Sequence, residues 1–209
     1  MAKLTNSSMY ATPLGDNSDA FVLSVGWMKR VSWGASAEAG VEAIKDYAPG
    51  HENEENNLRA LDDTTEKMRE RVRRLGYSDV QAYYKNHANP EPVIEVLQIG
   101  FGHSFHRVIL SHPIRIRFAP DFRVLEKERE RGLSILSAIY STLALLAKFD
   151  TRIRISPLSA GVFAGREFKA IIDALSGSTL FLSSNVHVCA FTEREFTHLQ
   201  RSSFGIPDS

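Results

Sequence analysis

The stretch that decides the fold is Ile153 to Gly165, IRISPLSAGVFAG, which joins a short strand to a loop of small residues. Isoleucine alternates with arginine at its start, as in a half-buried strand. Pro157 ends strand pairing, and the small side chains that follow let backbone N–H groups converge. The helix predicted over residues 166–176 directs the positive end of its dipole at this loop. The stretch therefore predicts a binding site for an anion, with phosphate as the expected ligand.

The other apolar segments alternate between strand patterns and helix patterns along the chain. Short apolar runs predict strands over residues 20–25, 93–99, 107–110, 114–118 and 185–191. Apolar residues at helical spacing predict helices over residues 41–47, 58–75, 78–85, 133–148 and 192–203. This order predicts an α/β fold with three layers, α/β/α, around a mixed central sheet. We expect the carboxyl ends of strands 20–25 and 153–156 to meet at a ligand crevice.

Composition and charge bound the class of protein. The chain has 209 residues, of which 43% are hydrophobic, and this suits one globular domain. Its 25 basic and 25 acidic side chains give a net charge of zero, which argues against a broad nonspecific surface for nucleic acid or membrane. A local basic patch stays open. No apolar run approaches the roughly 20 residues of a membrane helix, so no membrane association is expected.

Two further features favour a location in the cytoplasm or nucleus. Residues 1–19 lack a basic start followed by an apolar stretch, so no secretory signal is predicted. The single cysteine, Cys189, lies in an apolar run and cannot form an internal disulfide. We interpret it as a buried small hydrophobic residue rather than a nucleophile.

The segment PLSAGVFAG, residues 157–165, resembles the diphosphate-binding loop of macro domains, whose pattern is PxxSxGxFG after a strand. The strand predicted over residues 185–191 and the helix after it follow in the order that macro domains have. The resemblance implies a single macro-like domain over residues 1–209. Residues 50–89, about the middle of the chain, exceed the usual family spacing and would be an extra helical insertion.

The resemblance implies that ADP-ribose, or ADP-ribosylated protein, is the ligand and that no cofactor is needed. Phe163 would cover the distal ribose, Phe191 would stack on the adenine, and Asp19 would accept a hydrogen bond from the adenine amino group. Backbone N–H groups of the loop would hold the diphosphate, from Ser159, Ala160, Gly161, Val162, Phe163, Ala164 and Gly165.

Residues 40–44 match the end of the first macro-domain loop, GVxxAI, and supply Gly40 and Val41 as further ligand-binding residues. In hydrolytic macro domains an acidic residue follows this pair, and Glu42 stands there, so the resemblance implies an ADP-ribosyl hydrolase in which Glu42 activates water. The other interpretation of Glu42 is a solvated charge in the first turn of a helix. The family's asparagines, expected near residues 24–27, are replaced. This favours an alternative function, a non-catalytic module that binds another nucleotide, a nucleic acid or a protein partner.

Two other groups of residues were weighed as sites. His103, His106 and His112 lie within ten residues, but no cysteine or carboxylate stands at ligand spacing beside them, so no metal is expected. Four arginines lie near the end of the helix predicted over residues 58–75, and acidic residues interleave with them. They favour a solvated helix face over an RNA-binding patch, so nucleic acid is the less favoured partner. These arginines are Arg69, Arg71, Arg73 and Arg74.

Overall fold

The computed structural model describes residues 1–6, 19–26, 40–42, 44, 51–101, 104–116, 126–148, 152–160 and 167–204. Within them, six strands form one mixed sheet in the order β1-β6-β5-β2-β4-β3. The strands are β1 (Lys3–Asn6), β2 (Asp19–Ser24), β3 (Ile94–Phe101), β4 (Ser104–Ser111), β5 (Arg152–Ile155) and β6 (Val186–Ala190). All neighbouring strands are parallel except β3 and β4, which form an antiparallel hairpin.

Helices cover both faces of the sheet, so the fold is the predicted three-layer α/β/α arrangement. Successive residues of a strand point to opposite faces, and in the central strands successive residues are all buried, so both faces of the sheet are covered. These residues are Ala20 to Leu23 in β2 and Val108 to Leu110 in β4. The helices are α1 (His51–Arg74), α2 (Val80–Asn86), α3 (Glu126–Leu146), α4 (Phe168–Ser176), α5 (Thr179–Leu182) and α6 (Glu193–Phe204).

Helix α1 packs an apolar stripe that includes Leu61, Met68 and Val72 into the core. It begins at His51, seven residues before the predicted start at Leu58. The sequence of this first part of the helix is polar and acidic and carries no apolar periodicity, although acidic residue types favour a helix start. The helix ends at Arg74, one residue before the predicted Leu75, and Gly76 just beyond it has a left-handed φ of 87°. The N–H groups of Gly76 and Tyr77 donate to carbonyls of the last turn, as in a Schellman motif.

The starts of two other helices differ from those predicted from the sequence. Asp79, not Ser78, caps α2, because its Oδ1 accepts the N–H of Ala82 at 2.8 Å. Helix α3 begins at Glu126, seven residues before the predicted Leu133. Its first two turns are charged, so apolar periodicity alone does not reveal them.

The segment 114–118 was predicted as a strand, and its described part, residues 114–116, is not in the sheet. Ile114 and Ile116 are nevertheless buried, and Arg115 between them is exposed. Gly132 of α3 allows this close packing, since a Cβ atom there would lie 3.1 Å from Cγ1 of Ile116. The alternation therefore reflects packing against α3 rather than strand pairing.

Strand β1 lies at the edge of the sheet beside β6. Cys189 is buried in β6, as predicted. Burial raises the pKa of its thiol, so the thiol stays protonated. Among the described helices, none is both long enough and apolar enough to span a bilayer.

Candidate functional site

The carboxyl ends of four parallel strands lie level with one another and form one edge of the sheet. Ser24 at the end of β2 pairs with Ser111 at the end of β4. Continuing the register of β2 with β5, and of β5 with β6, brings Pro157 and Ala190 into the same row. The loop after β5 thus begins between the ends of β2 and β6. This is the edge at which parallel α/β sheets bind ligands.

The loop after β5 holds a residue in a strained conformation. Ser159 has a φ of 63°, in the left-handed region that non-glycine residues rarely adopt. Its side chain is buried, and among the described residues its Oγ has no hydrogen-bond partner. A left-handed residue within a turn directs successive N–H groups toward one side, which is the arrangement of an anion-binding nest.

Tyr140 of α3 holds the start of this loop through a hydrogen bond to its backbone. Its hydroxyl oxygen accepts the N–H of Leu158 at 3.1 Å, and its side chain is fully buried. Burial raises the pKa of the Tyr140 phenol, so the hydroxyl stays neutral. Helix α3 thereby determines the position at which the Ser159 turn begins.

Phe191 follows β6 directly, and 44% of its surface is exposed. Its N–H donates to Oε2 of Glu195 at 2.7 Å, and the N–H of Thr192 donates to the same atom at 3.2 Å. In return Oγ1 of Thr192 accepts the N–H of Glu195, which completes a capping box at the start of α6. Burial raises the pKa of Glu195. The capping box fixes the backbone of Phe191 while its ring stays open to solvent.

Gly40, Val41, Glu42 and Ile44 are helical. Gly40, Val41 and Ile44 are buried, whereas the side chain of Glu42 is exposed. This turn anchors its apolar residues in the same core as β2 and directs a carboxylate outward. Exposure is compatible with both interpretations of Glu42, a water-activating base and a solvated charge.

Arg69 connects α1 to the same edge of the sheet, and sequence reasoning missed it. Its Nη2 donates to the carbonyl oxygen of Gly26, two residues beyond β2, at 3.0 Å, and Nη1 donates to Glu66 at 3.1 Å. Only 14% of the side chain is exposed, so the prediction of a solvated face is wrong for Arg69. A signal was present, because Arg69 lies one helical turn from Thr65 and Val72, which are both buried.

The other three arginines of α1 do lie at the surface in ion pairs. Arg71 pairs with Glu95, Arg73 with Glu66 and Arg74 with Glu70. Hydrogen bonds from Arg73 and then Arg69 lower the pKa of the Glu66 carboxyl. Glu66 thus joins Arg73 at the surface to the partly buried Arg69.

His112 lies beside Arg69 at the end of β4 and is buried. Desolvation, and next the charge of Arg69, lower its pKa to about 3, so the imidazole is neutral at pH 7. It makes a hydrogen bond with the backbone of Val25, and the N–H of Val25 donates to the carbonyl of Ser111. These bonds fasten the ends of β2 and β4 together. The described residues contain no cluster of three metal-ligating side chains.

The structure brings together some of the predicted ligand-binding residues. Ser159, Ala160 and Phe191 lie at one edge, on neighbouring strand ends. Asp19 lies at the opposite, amino end of β2, where it pairs with Arg152. Five residues of strand separate its backbone from Ser24, or roughly 17 Å. The side chain of Asp19 and residues 161–165, Phe163 among them, lie outside the described residues.

Comparisons with known proteins supply no family for this chain. No protein-family model matches it, and a search of curated proteins finds no match.

Proposed function

We propose that this chain is a divergent macro domain that binds ADP-ribose, or ADP-ribosylated protein, at the edge formed by the ends of β2, β5 and β6. The observation that carries the proposal is the Ser159 turn. A buried, left-handed serine costs about 1–2 kcal/mol of backbone strain. Its hydroxyl also has no partner within the described part of the chain. Strain of this kind is concentrated at ligand sites, where a bound group compensates it.

A diphosphate matches the chemistry of this turn. Converging N–H groups supply partial positive charge without a cationic side chain, and the Ser159 hydroxyl adds one more donor. The macro resemblance adds the N–H groups of residues 161–165. The dipole of α4, which begins directly after this loop, favours the same negative charge.

Phe191 supports a nucleotide rather than inorganic phosphate as the ligand. Large aromatic side chains are usually buried, and here the ring is 44% exposed on a backbone that the capping box holds. Stacking of the adenine ring would cover this surface. The diphosphate and the adenine would then occupy neighbouring strand ends, β5 and β6.

We further propose that Glu42 makes the domain an ADP-ribosyl hydrolase. Its carboxylate would accept a proton from a water molecule that attacks the anomeric carbon of the ribose. The bond from that carbon to the modified side chain would break, and the side chain would leave with a proton. The exposed position of Glu42 beside buried Gly40 and Val41 supports this role, because the neighbouring residues anchor the turn in the core while the Glu42 side chain faces outward.

The alternative is a non-catalytic module with the same fold. It is favoured by the end of β2, where Ser24, Val25 and Gly26 replace the family's asparagines. There the Gly26 carbonyl is bonded to Arg69 and the Val25 N–H to Ser111. This backbone is occupied by structural bonds. In this alternative another nucleotide, a nucleic acid or a protein partner takes the place of ADP-ribose.

We infer a cytoplasmic or nuclear location. The inference rests on the single cysteine, Cys189, which cannot form a disulfide within the chain. ADP-ribosylated proteins of those compartments would be the ligands.

Calorimetry with ADP-ribose tests the proposal. Wild type should release or absorb measurable heat, ADP should compete, and Gly161→Glu should abolish binding while the melting temperature holds. The added carboxylate would repel the diphosphate at the centre of the loop. Absence of heat at millimolar ligand would exclude ADP-ribose binding. Release of ADP-ribose from modified protein would then separate a hydrolase from a binder.

A further inference from the structure

A groove of about 400 Å³ lies between α4 and α6, and neither Ser159 nor Phe191 lines it. Its size is in the range of small-molecule sites. Both helices contribute to its walls, and its lining combines basic with aromatic side chains. The lining residues used below are Phe168, Lys169, Arg194, His198 and Arg201.

The basic side chains of the groove outnumber its acidic ones. Lys169, Arg194 and Arg201 face a single lining carboxylate, that of Glu193, in a chain whose net charge is zero. No carboxylate of the described residues pairs with Arg194 or Arg201, in contrast to the paired arginines of α1. Two cations without acidic partners at one groove indicate an anionic ligand.

The same groove contains π surfaces. The guanidinium carbon of Arg194 lies 4.1 Å from the ring centroid of Phe168, and the ring of His198 contacts the Phe168 ring edge-on at 6.3 Å. The Phe168 ring is thus covered, whereas Arg194 is exposed. A guanidinium that stacks on an aromatic ring with one face offers its other face to a nucleic acid base.

The arginines also lie in line. Arg194 and Arg201 are seven residues apart on α6, which is two helical turns, or about 10.5 Å. Lys169 lies across the groove on α4. The two arginines therefore lie along one wall of the groove and Lys169 lies on the other, so an extended chain of phosphates between the walls meets all three charges, with the stacking surface of Arg194 near the start of α6.

We propose that the α4–α6 groove binds single-stranded nucleic acid. Lys169, Arg194 and Arg201 contact its phosphates, and one base stacks on the outer face of Arg194. An acidic peptide would use the same charges, but the stacked guanidinium would add nothing to its binding. This function goes beyond ADP-ribose recognition and does not depend on it.

Fluorescence anisotropy with a short labelled oligouridine tests the proposal. Wild type should bind it, and the double variant Arg194→Gln/Arg201→Gln should raise Kd by about tenfold, the equivalent of 1.4 kcal/mol. The slope of log K against log salt should fall in magnitude by about 1.4, or 0.7 for each lost phosphate contact. The matched control, Arg59→Gln/Arg74→Gln, removes the same charge from α1 and should change neither value. Melting temperatures verify that both variants fold.

Arg194→Lys separates stacking from charge. It should weaken binding of the oligonucleotide while the salt slope stays near that of wild type, because the charge remains and the planar guanidinium is lost. A labelled oligoglutamate peptide serves as the competing ligand. Arginine-dependent binding of the peptide without binding of the oligonucleotide would overturn the proposal, as would no binding of either probe. Equal loss in the α1 control would overturn it as well.

Discussion

Replacing Ser159 tests whether this residue is kept for ligand binding rather than for stability. Two variants distinguish the effect of the backbone strain from the effect of the hydroxyl group. Ser159→Ala removes the hydroxyl and keeps a side chain in the left-handed region. Ser159→Gly removes both the hydroxyl and the Cβ atom. If the turn is kept for a ligand, both variants should be more stable than wild type and should bind ADP-ribose more weakly.

The magnitudes follow from the geometry of the turn. An unpartnered buried hydroxyl costs about 1 kcal/mol or more, so Ser159→Ala should gain about that much. Glycine relieves about 1–2 kcal/mol of strain and loses about 0.5–1 kcal/mol to the entropy of the unfolded chain. Ser159→Gly should therefore gain up to about 1.5 kcal/mol beyond Ser159→Ala. In a chain of this size, the melting temperature of Ser159→Gly should rise by roughly 2–10 °C above that of wild type.

Affinity should change in the opposite direction. A hydrogen bond to a charged group contributes about 1.5–3 kcal/mol, so loss of the Ser159 hydroxyl should raise Kd for ADP-ribose by about 10- to 100-fold. Calorimetry and thermal unfolding of the three proteins measure both quantities. Variants that are less stable than wild type, or that bind ADP-ribose equally well, would refute this account of Ser159.

Three further predictions concern other residues. Glu42→Gln should lower hydrolytic turnover by about 10²- to 10⁴-fold and change ADP-ribose affinity only a few-fold, because the amide keeps the size of the carboxylate but cannot accept a proton. Equal turnover in wild type and variant would show that another residue is the base. Arg69→Met should lower the free energy of unfolding, measured in urea, by about 1.5–3 kcal/mol, because the Gly26 carbonyl loses its hydrogen bond. The control Arg74→Met, at an exposed ion pair, should lower it by less than about 1 kcal/mol. Equal losses in the two variants would contradict a structural role for Arg69. The pKa of His112 falls from 6.5 to about 3 on folding, so the unfolded chain binds the extra proton between these values. The free energy of unfolding should rise by up to about 1.4 kcal/mol per pH unit in that window, and His112→Asn should lack this rise. An unchanged pH profile in that variant would contradict a buried, neutral His112.

The sheet and its layers could be predicted because buried strands and amphipathic helices leave strong patterns. The antiparallel hairpin and the row of strand ends follow from short apolar runs between turn residues. Charged helix starts leave no such pattern, and α3 was placed seven residues late for that reason. Residues 114–116 were wrongly predicted as part of a strand, because Ile114 and Ile116 pack against Gly132 of α3 and are buried in the same alternating pattern that a strand shows.

The candidate site could be predicted only where chemistry is local in the sequence. The small residues after β5 indicate a tight loop, but the left-handed φ of Ser159 and the Tyr140 bond depend on tertiary contacts. Arg69 is 43 residues from Gly26, and no sequence spacing predicts that bond. The resemblance implies that Asp19 contacts the adenine, but the strand register places its backbone at the amino end of β2, opposite the loop.

The most direct test of the central claim is an amide NMR titration of the isotope-labelled protein with ADP-ribose. Leu158, Ser159, Ala160 and Phe191 should shift along one binding curve with a common Kd. Amides of Arg74 and Tyr77, far along the chain at the end of α1, should stay in place. This result would support nucleotide binding at the ends of β5 and β6. No shift at millimolar ligand, or shifts confined to other parts of the fold, would contradict it.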